Sequence, residues 1–359
     1  MSLKKQFKTA RGFIMRGLTR NIGAAHPNGP ITPVDRADVK RVLISRPNHR
    51  LGNQLLITPL IQEVNKLFPQ ARIDLFVKGH LGPTLFKQYK AVDRVIQLPR
   101  KPFKAFGSYL NVWIKLRSKR YDIAINVVQA SSSGRLSVKF ADARFKFFGD
   151  VSETVRTVYP EDHQHMAKYP VYSFRENLKY LGIEAPAARV APIDLKLTAA
   201  ELQQGKTALA GIIPHSGAVI CLFTFATDTK RYNEHFWTDF YTRIREAYPH
   251  HAIFEMLPAE NVSALSFSIP HYYSQDIRLI GSIFANCSIF IGADSGMMHL
   301  AAASQVPTVG LFKVTDMKGY EPYGKDSTGI DTKTSTPEAW MQAIDKILNK
   351  TAEPASTAL

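Results

Sequence analysis

Acidic residues and cysteines are both scarce in this chain. Its 359 residues hold 46 Lys and Arg against 30 Asp and Glu, a formal net charge of +16. A deficit of acid on that scale favours an anionic partner: nucleic acid, anionic lipid or a phosphorylated substrate. The two cysteines, Cys221 and Cys287, lie far apart with no C-x-x-C spacing, which argues against a disulfide framework and a zinc site and fits a reducing cytoplasm. No apolar run approaches the roughly 18 residues a membrane span requires. There is no short repeat and no aromatic-basic recognition motif, so nucleic acid is the least supported of the anionic partners.

What is present points to two α/β domains. The length is about twice that of one domain. The opening MSLKKQFKTARGFIMRGLTR is basic and free of acid, with Phe7, Phe13, Ile14 and Leu18 interrupting the cations at spacings a helix could turn to one side. Such a segment suits either an anchor on an anionic membrane surface or a solvated tail. It lacks the long apolar core and cleavage site of a secretory signal. A Pro/Gly/Asn-rich linker ends near Val39. From there RVLIS, RIDLFV, RVIQL and YDIAINV alternate with amphipathic stretches, one of them a helix from about Asn53 to Phe68. Strands separated by helices in this way make βαβ units and a parallel sheet. After the segment GIEAPAARVAPIDLKLT the theme repeats with AVICLFTF, HAIFEML, IFIGAD and TVGLF. Thr336 and Pro337 open a last helix in which Trp340, Ile344 and Ile347 or Leu348 share a face. The expected division is a tail and linker over 1–39, domains over 40–195 and 196–350, and a tail over 351–359.

The segment IFIGADSGMMHLAAASQVPTVGLF, residues 289–312, is a buried strand, a Ser-Gly turn and a helix of small residues. That arrangement aims the free N–H groups and positive dipole end of a helix at a ligand, and suits a diphosphate. On physics alone, Asp294 and Ser295 could equally do no more than cap the helix, with His299 a structural residue.

The same segment closely resembles the signature of glycosyltransferase family 9, the ADP-heptose:lipopolysaccharide heptosyltransferases. The opening block RVLISRPNHRLGNQLLITPLIQEVNKLFPQARIDLFV is similar to the family's N-terminal block, and TDTKRYNEHFWTDF and TDMKGYEPYG are weaker echoes. The resemblance implies a GT-B fold: two Rossmann-like domains facing across a cleft, with the donor on the C-terminal one and the acceptor on the N-terminal one. It implies sugar transfer with inversion from a nucleotide-diphosphate donor, ADP-heptose by expectation, to a lipid-linked glycan, at the inner face of the cytoplasmic membrane. It implies no cofactor beyond that co-substrate and no metal, and no D-x-D stands at a strand end to hold one.

Carried over to this sequence, Asp294, Ser295, Gly296 and His299 match the donor motif and Lys230 the donor-site lysine. An ammonium there can neutralise a leaving diphosphate. Thr227 and Thr229 could donate to phosphate oxygens and Glu260 could receive ribose hydroxyls. Arg46, Arg50, Gly52 and Arg135 stand where an acceptor would bind, with Arg100, Lys101 and Lys104 as further basic residues of that domain. Asn53 departs from the family, whose Gly-Asp carries the base at this position. An amide orients a hydroxyl but cannot take its proton. Three readings follow: His49 in the same loop serves as base; water or another carboxylate does; or the chain binds sugars without transferring them. A nucleotide-sugar epimerase, which shares the fold, is a further enzymatic alternative.

Overall fold

A computed structural model describes residues 33–100, 106–214 and 217–352; the basic tail of residues 1–24, with Lys101 and Lys104, lies outside them. The chain divides into two compact units, Met1–His49 with Ile57–Ala191, and Arg50–Leu56 with Pro192–Leu359. The later boundary falls at Pro192, and the short segment after β1 groups with the second unit.

The first unit is built on a five-stranded sheet: β1 (Arg41–Arg46), β2 (Arg72–Lys78), β3 (Val92–Leu98), β4 (Tyr121–Asn126) and β5 (Ala143–Phe147), in the order β3-β2-β1-β4-β5. Every neighbouring pair is parallel, with Val42 of β1 opposite Ile73 and Ile123. Helices cover both faces of such a sheet, which is why β1 and β2 read as nearly unbroken apolar runs. A carboxylate is buried among them. Asp74, fully buried, accepts from Arg41 at 2.8 Å, from Arg94 Nε at 2.9 Å and from the Tyr121 hydroxyl at 3.0 Å. A buried carboxylate is tolerable only when its oxygens are occupied in this way. The helix expected over 53–68 arrives as two pieces, Leu51–Leu55 and Thr58–Leu67. Pro59 causes the break: it has no N–H to give a preceding turn but fits the first turn of a new helix.

The second unit carries a six-stranded sheet: β6 (Val219–Phe223), β7 (Ala252–Met256), β8 (His271–Tyr272), β9 (Ile289–Ala293), β10 (Thr308–Phe312) and β11 (Thr328–Asp331). It is parallel throughout, in the order β11-β10-β9-β6-β7-β8. Read from β8, this is the dinucleotide-binding order 3-2-1-4-5-6. Strands β5, β8 and β11 are absent from the sequence pattern. The first is only partly buried, with Phe147 alone fully covered, the second has two residues, and Gly329 interrupts the third. The last helix, Pro337–Ala352, buries Trp340, Ile344, Ile347 and Leu348 as its spacing predicts. Among the described residues no helix is long and apolar enough to cross a membrane.

Candidate active site

In an open parallel sheet, ligands bind beyond the carboxyl ends of the strands where the strand order reverses. In the second unit that point lies between β6 and β9, which run side by side with Phe223 opposite Gly292. The residues that follow the two strands therefore converge. Lys230 Nζ lies 2.6 Å from Asp294 Oδ2, with the lysine side chain 30% exposed and the aspartate 7%. Lys230 closes a short 3-10 turn, Asp228–Lys230, and its backbone N–H donates to the Thr227 carbonyl at 3.3 Å. Asp228 at its start holds φ +55, a strained conformation for a side-chain-bearing residue. Thr227 and Thr229 flank it and are exposed.

After β9, Ser295 caps the helix Gly296–Ala303 by accepting from the Met298 N–H at 3.4 Å. Small side chains let this helix sit deep, with Ala301, Ala302 and Ala303 buried. His299 in its second turn is 4% exposed, and the short helix Leu51–Leu55 packs on it. A Cβ at Gly52 would lie 2.5 Å from His299 Cδ2, and one at Gly296 would lie 3.1 Å from Leu51 Cβ. Both glycines thus permit a close approach that joins the early Gly-Asn turn to the late Ser-Gly turn. Asn53 is half-buried one residue further on.

The other acceptor-side candidates are placed as follows. Arg46 is 8% exposed at the end of β1, while His49 and Arg50 are exposed in the turn after it. His49 crosses over Gly79, whose φ of +83 demands glycine. Arg135 lies near the start of the helix Ser132–Phe140, within the first unit. It is buried, ion-paired to Asp150 at 3.1 Å, and its guanidinium lies 5.3 Å from the Phe148 ring. Its head group is held by these partners within the first unit.

A cavity of about 710 Å³ opens in the second unit, lined in part by Phe225, Arg231, Tyr232, Glu260 and Ser263. Glu260 is exposed at its wall. Burial pushes the Tyr232 hydroxyl up to about 12; it shares a 2.7 Å hydrogen bond with Thr332 Oγ1. Sequence reasoning missed Glu255, the fully buried acid behind this wall. Its carboxyl accepts from the Thr224 and Ser263 hydroxyls. Burial raises its pKa above the usual carboxylate value, and the two hydroxyls oppose the rise. An acid inside the apolar run HAIFEML was the available signal.

Residues 276–347 match the family model of glycosyltransferase family 9 (heptosyltransferase), which meets the resemblance carried by residues 289–312. No curated protein matches the chain. Among solved structures, a glycosyl transferase family 9 protein from Veillonella parvula is similar at a TM-score of 0.67 and 14% identity, over 88% of this chain and 99% of that one. The E. coli heptosyltransferase WaaC with ADP gives 0.62 and 18%, over 86% and 99%. E. coli ADP-heptose lps heptosyltransferase II gives 0.60 and 15%, over 87% and 99%. At these identities the likeness fixes the fold. It is GT-B, with two parallel α/β units.

Proposed function

We propose that the chain is a glycosyltransferase that moves a sugar, a heptose on the family likeness, from a nucleoside diphosphate to a lipid-linked surface glycan of the lipopolysaccharide type, with inversion and without a metal. The observation that carries this reading is the Lys230–Asp294 pair at the strand-order reversal of the second sheet, inside a region whose latter part matches the family model. In the step proposed, the acceptor hydroxyl oxygen bonds to the anomeric carbon as the bond from that carbon to the diphosphate oxygen breaks. The nucleoside diphosphate leaves with the electron pair, and the acceptor proton passes to a base. Lys230 and the positive end of the helix Gly296–Ala303 stabilise the charge growing on the diphosphate. Thr227 and Thr229 donate to its oxygens, and Glu260 at the cavity receives ribose hydroxyls. Adenosine is the favoured nucleoside because two similar E. coli structures carry ADP or ADP-heptose in their descriptions. Arg46 and Arg50 serve an anionic acceptor, His49 takes the proton, and residues 1–24 hold the chain at the inner face of the cytoplasmic membrane.

A second reading, a silent sugar-binding protein, is favoured by Asn53 alone, since an amide accepts no proton. Ligand-induced stabilisation tests the donor half of either reading. A ligand at 100 times its Kd raises the stability of the folded state by about 2.7 kcal/mol. ADP and ADP-heptose should raise the melting temperature of the wild type and do so far less in Lys230→Ala. Equal shifts in both proteins would remove Lys230 from the site.

A further inference from the structure

The first unit presents a face that the sugar-transfer reading leaves unused. Its helix Phe106–Arg117 lies against the sheet through Leu116, which is fully buried, and Trp113, whose ring is 5.6 Å from that of Phe76. Leu110 and Ile114, one turn apart, project further round the same helix and are 47% and 68% exposed. Phe140, at the end of the helix Ser132–Phe140, is 40% exposed and meets Trp113 edge-on at 5.6 Å. Trp113 and Arg117, which meet Phe140, follow Leu110 and Ile114 by three residues on the same helix, a spacing that makes them neighbours on its surface, so the three exposed apolar side chains share this side of the unit.

Cations border the patch. The Arg117 guanidinium stands 5.2 Å over the Phe140 ring. Beside it a groove of about 350 Å³ is lined by Arg117, Lys139, Phe140 and Lys146, with Asp142 as its one acid. Lys146 Nζ donates to the Lys139 carbonyl at 2.8 Å. Burial holds the Lys146 ammonium below its ordinary pKa and Arg117 adds to the effect, while Asp142 opposes it. With three basic side chains against one acid in its lining, the groove is nonetheless net positive.

We propose that this face docks on an anionic phospholipid bilayer, with Leu110, Ile114 and Phe140 entering the interface and Arg117, Lys139 and Lys146 meeting headgroup phosphates. Exposed leucine and isoleucine gain nothing from the phosphodiesters of a nucleic acid. A bilayer interface accepts an apolar surface and a basic rim together. The face is a second membrane contact, distinct from residues 1–24, and does not depend on the chain transferring sugar.

The test is sedimentation of the full-length protein with phosphatidylcholine vesicles, with and without phosphatidylglycerol, and in parallel binding to a mixed-sequence oligonucleotide. Leu110→Ser/Ile114→Ser should weaken partition onto the anionic vesicles roughly 10-fold or more. Lys139→Gln should weaken it about 5-fold, the worth of one basic residue near an anionic surface. Both variants alter exposed side chains and should melt at the wild-type temperature. Unchanged vesicle binding in the Leu110→Ser/Ile114→Ser variant, with any affinity carried by the basic tail, would overturn the proposal. So would a Lys139→Gln variant that loses oligonucleotide binding while keeping vesicle binding.

Discussion

The turn after β9 and the turn after β1 are built alike and carry different chemistry. Each leaves a buried parallel strand and opens a helix with a glycine in its first turn, and the two meet where Gly52 lies against His299. The turn after β9 keeps a carboxylate, Asp294, 2.6 Å from the Lys230 ammonium. The turn after β1 has Asn53 where the family resemblance expects a carboxylate. One turn is therefore charged and suited to a leaving diphosphate. For the proposed transfer the other needs a proton acceptor beside Asn53, the task proposed for His49.

The sharpest way to break this contrast is to remove the assigned base. His49→Ala should lower turnover by roughly 10²- to 10⁴-fold and abolish a rise in rate between about pH 5 and 8, the range in which imidazoles titrate. An unaltered rate and pH profile would place the proton acceptor elsewhere.

That profile can be read only if the fold survives the acid limb, and Glu201 sets a boundary there. Its carboxylate accepts from Arg278 Nη2 at 2.8 Å, and that contact is the main cause of a pKa lowered to about 2. The folded-state value lies below the unfolded one, so the stabilisation is full above about pH 4.5 and is lost as pH falls towards 2. It does not overlap the imidazole range. Glu201→Gln should cost about 2 to 3 kcal/mol at neutral pH and flatten the acid unfolding curve below about pH 4.5. Urea denaturation at pH 7 and pH 3 measures both.

A smaller effect tests the contact between the two turns. Gly52→Ala forces its Cβ against the His299 ring and should destabilise by about 1 to 3 kcal/mol. Gly211, which has open space around it, gains slightly from the same change because it lies inside a helix. Equal melting temperatures for Gly52→Ala and wild type would show that the turns do not pack closely.

Most of the sheet was legible in the sequence because strands covered on both faces announce themselves as apolar runs: RVLIS, AVICLF and IFIGA need no tertiary knowledge. The half-exposed β5 and the two-residue β8 have no such signal. The break before Pro59 was legible in principle, as was the capping box of Thr198 and Glu201 that starts the helix Ala199–Ile212. At the site, residue types were readable and pairings were not. Lys230 finds Asp294 only because β6 and β9 are neighbours in the sheet. Arg135 is drawn inward by Asp150, a partner 15 positions away that marks no motif. Asn53 stood out at once, since chemistry alone says what an amide cannot do.

The most direct test of sugar transfer is product formation from ADP-heptose and a lipid-linked glycan acceptor, followed as ADP released and acceptor mass gained, in the wild type and in Asn53→Asp. Asn53→Asp restores a carboxylate of nearly the same shape. Transfer by the wild type is expected, with activity retained or raised in Asn53→Asp. A wild type that binds the donor without transferring it, beside an Asn53→Asp variant that transfers, would make the natural chain a binding protein.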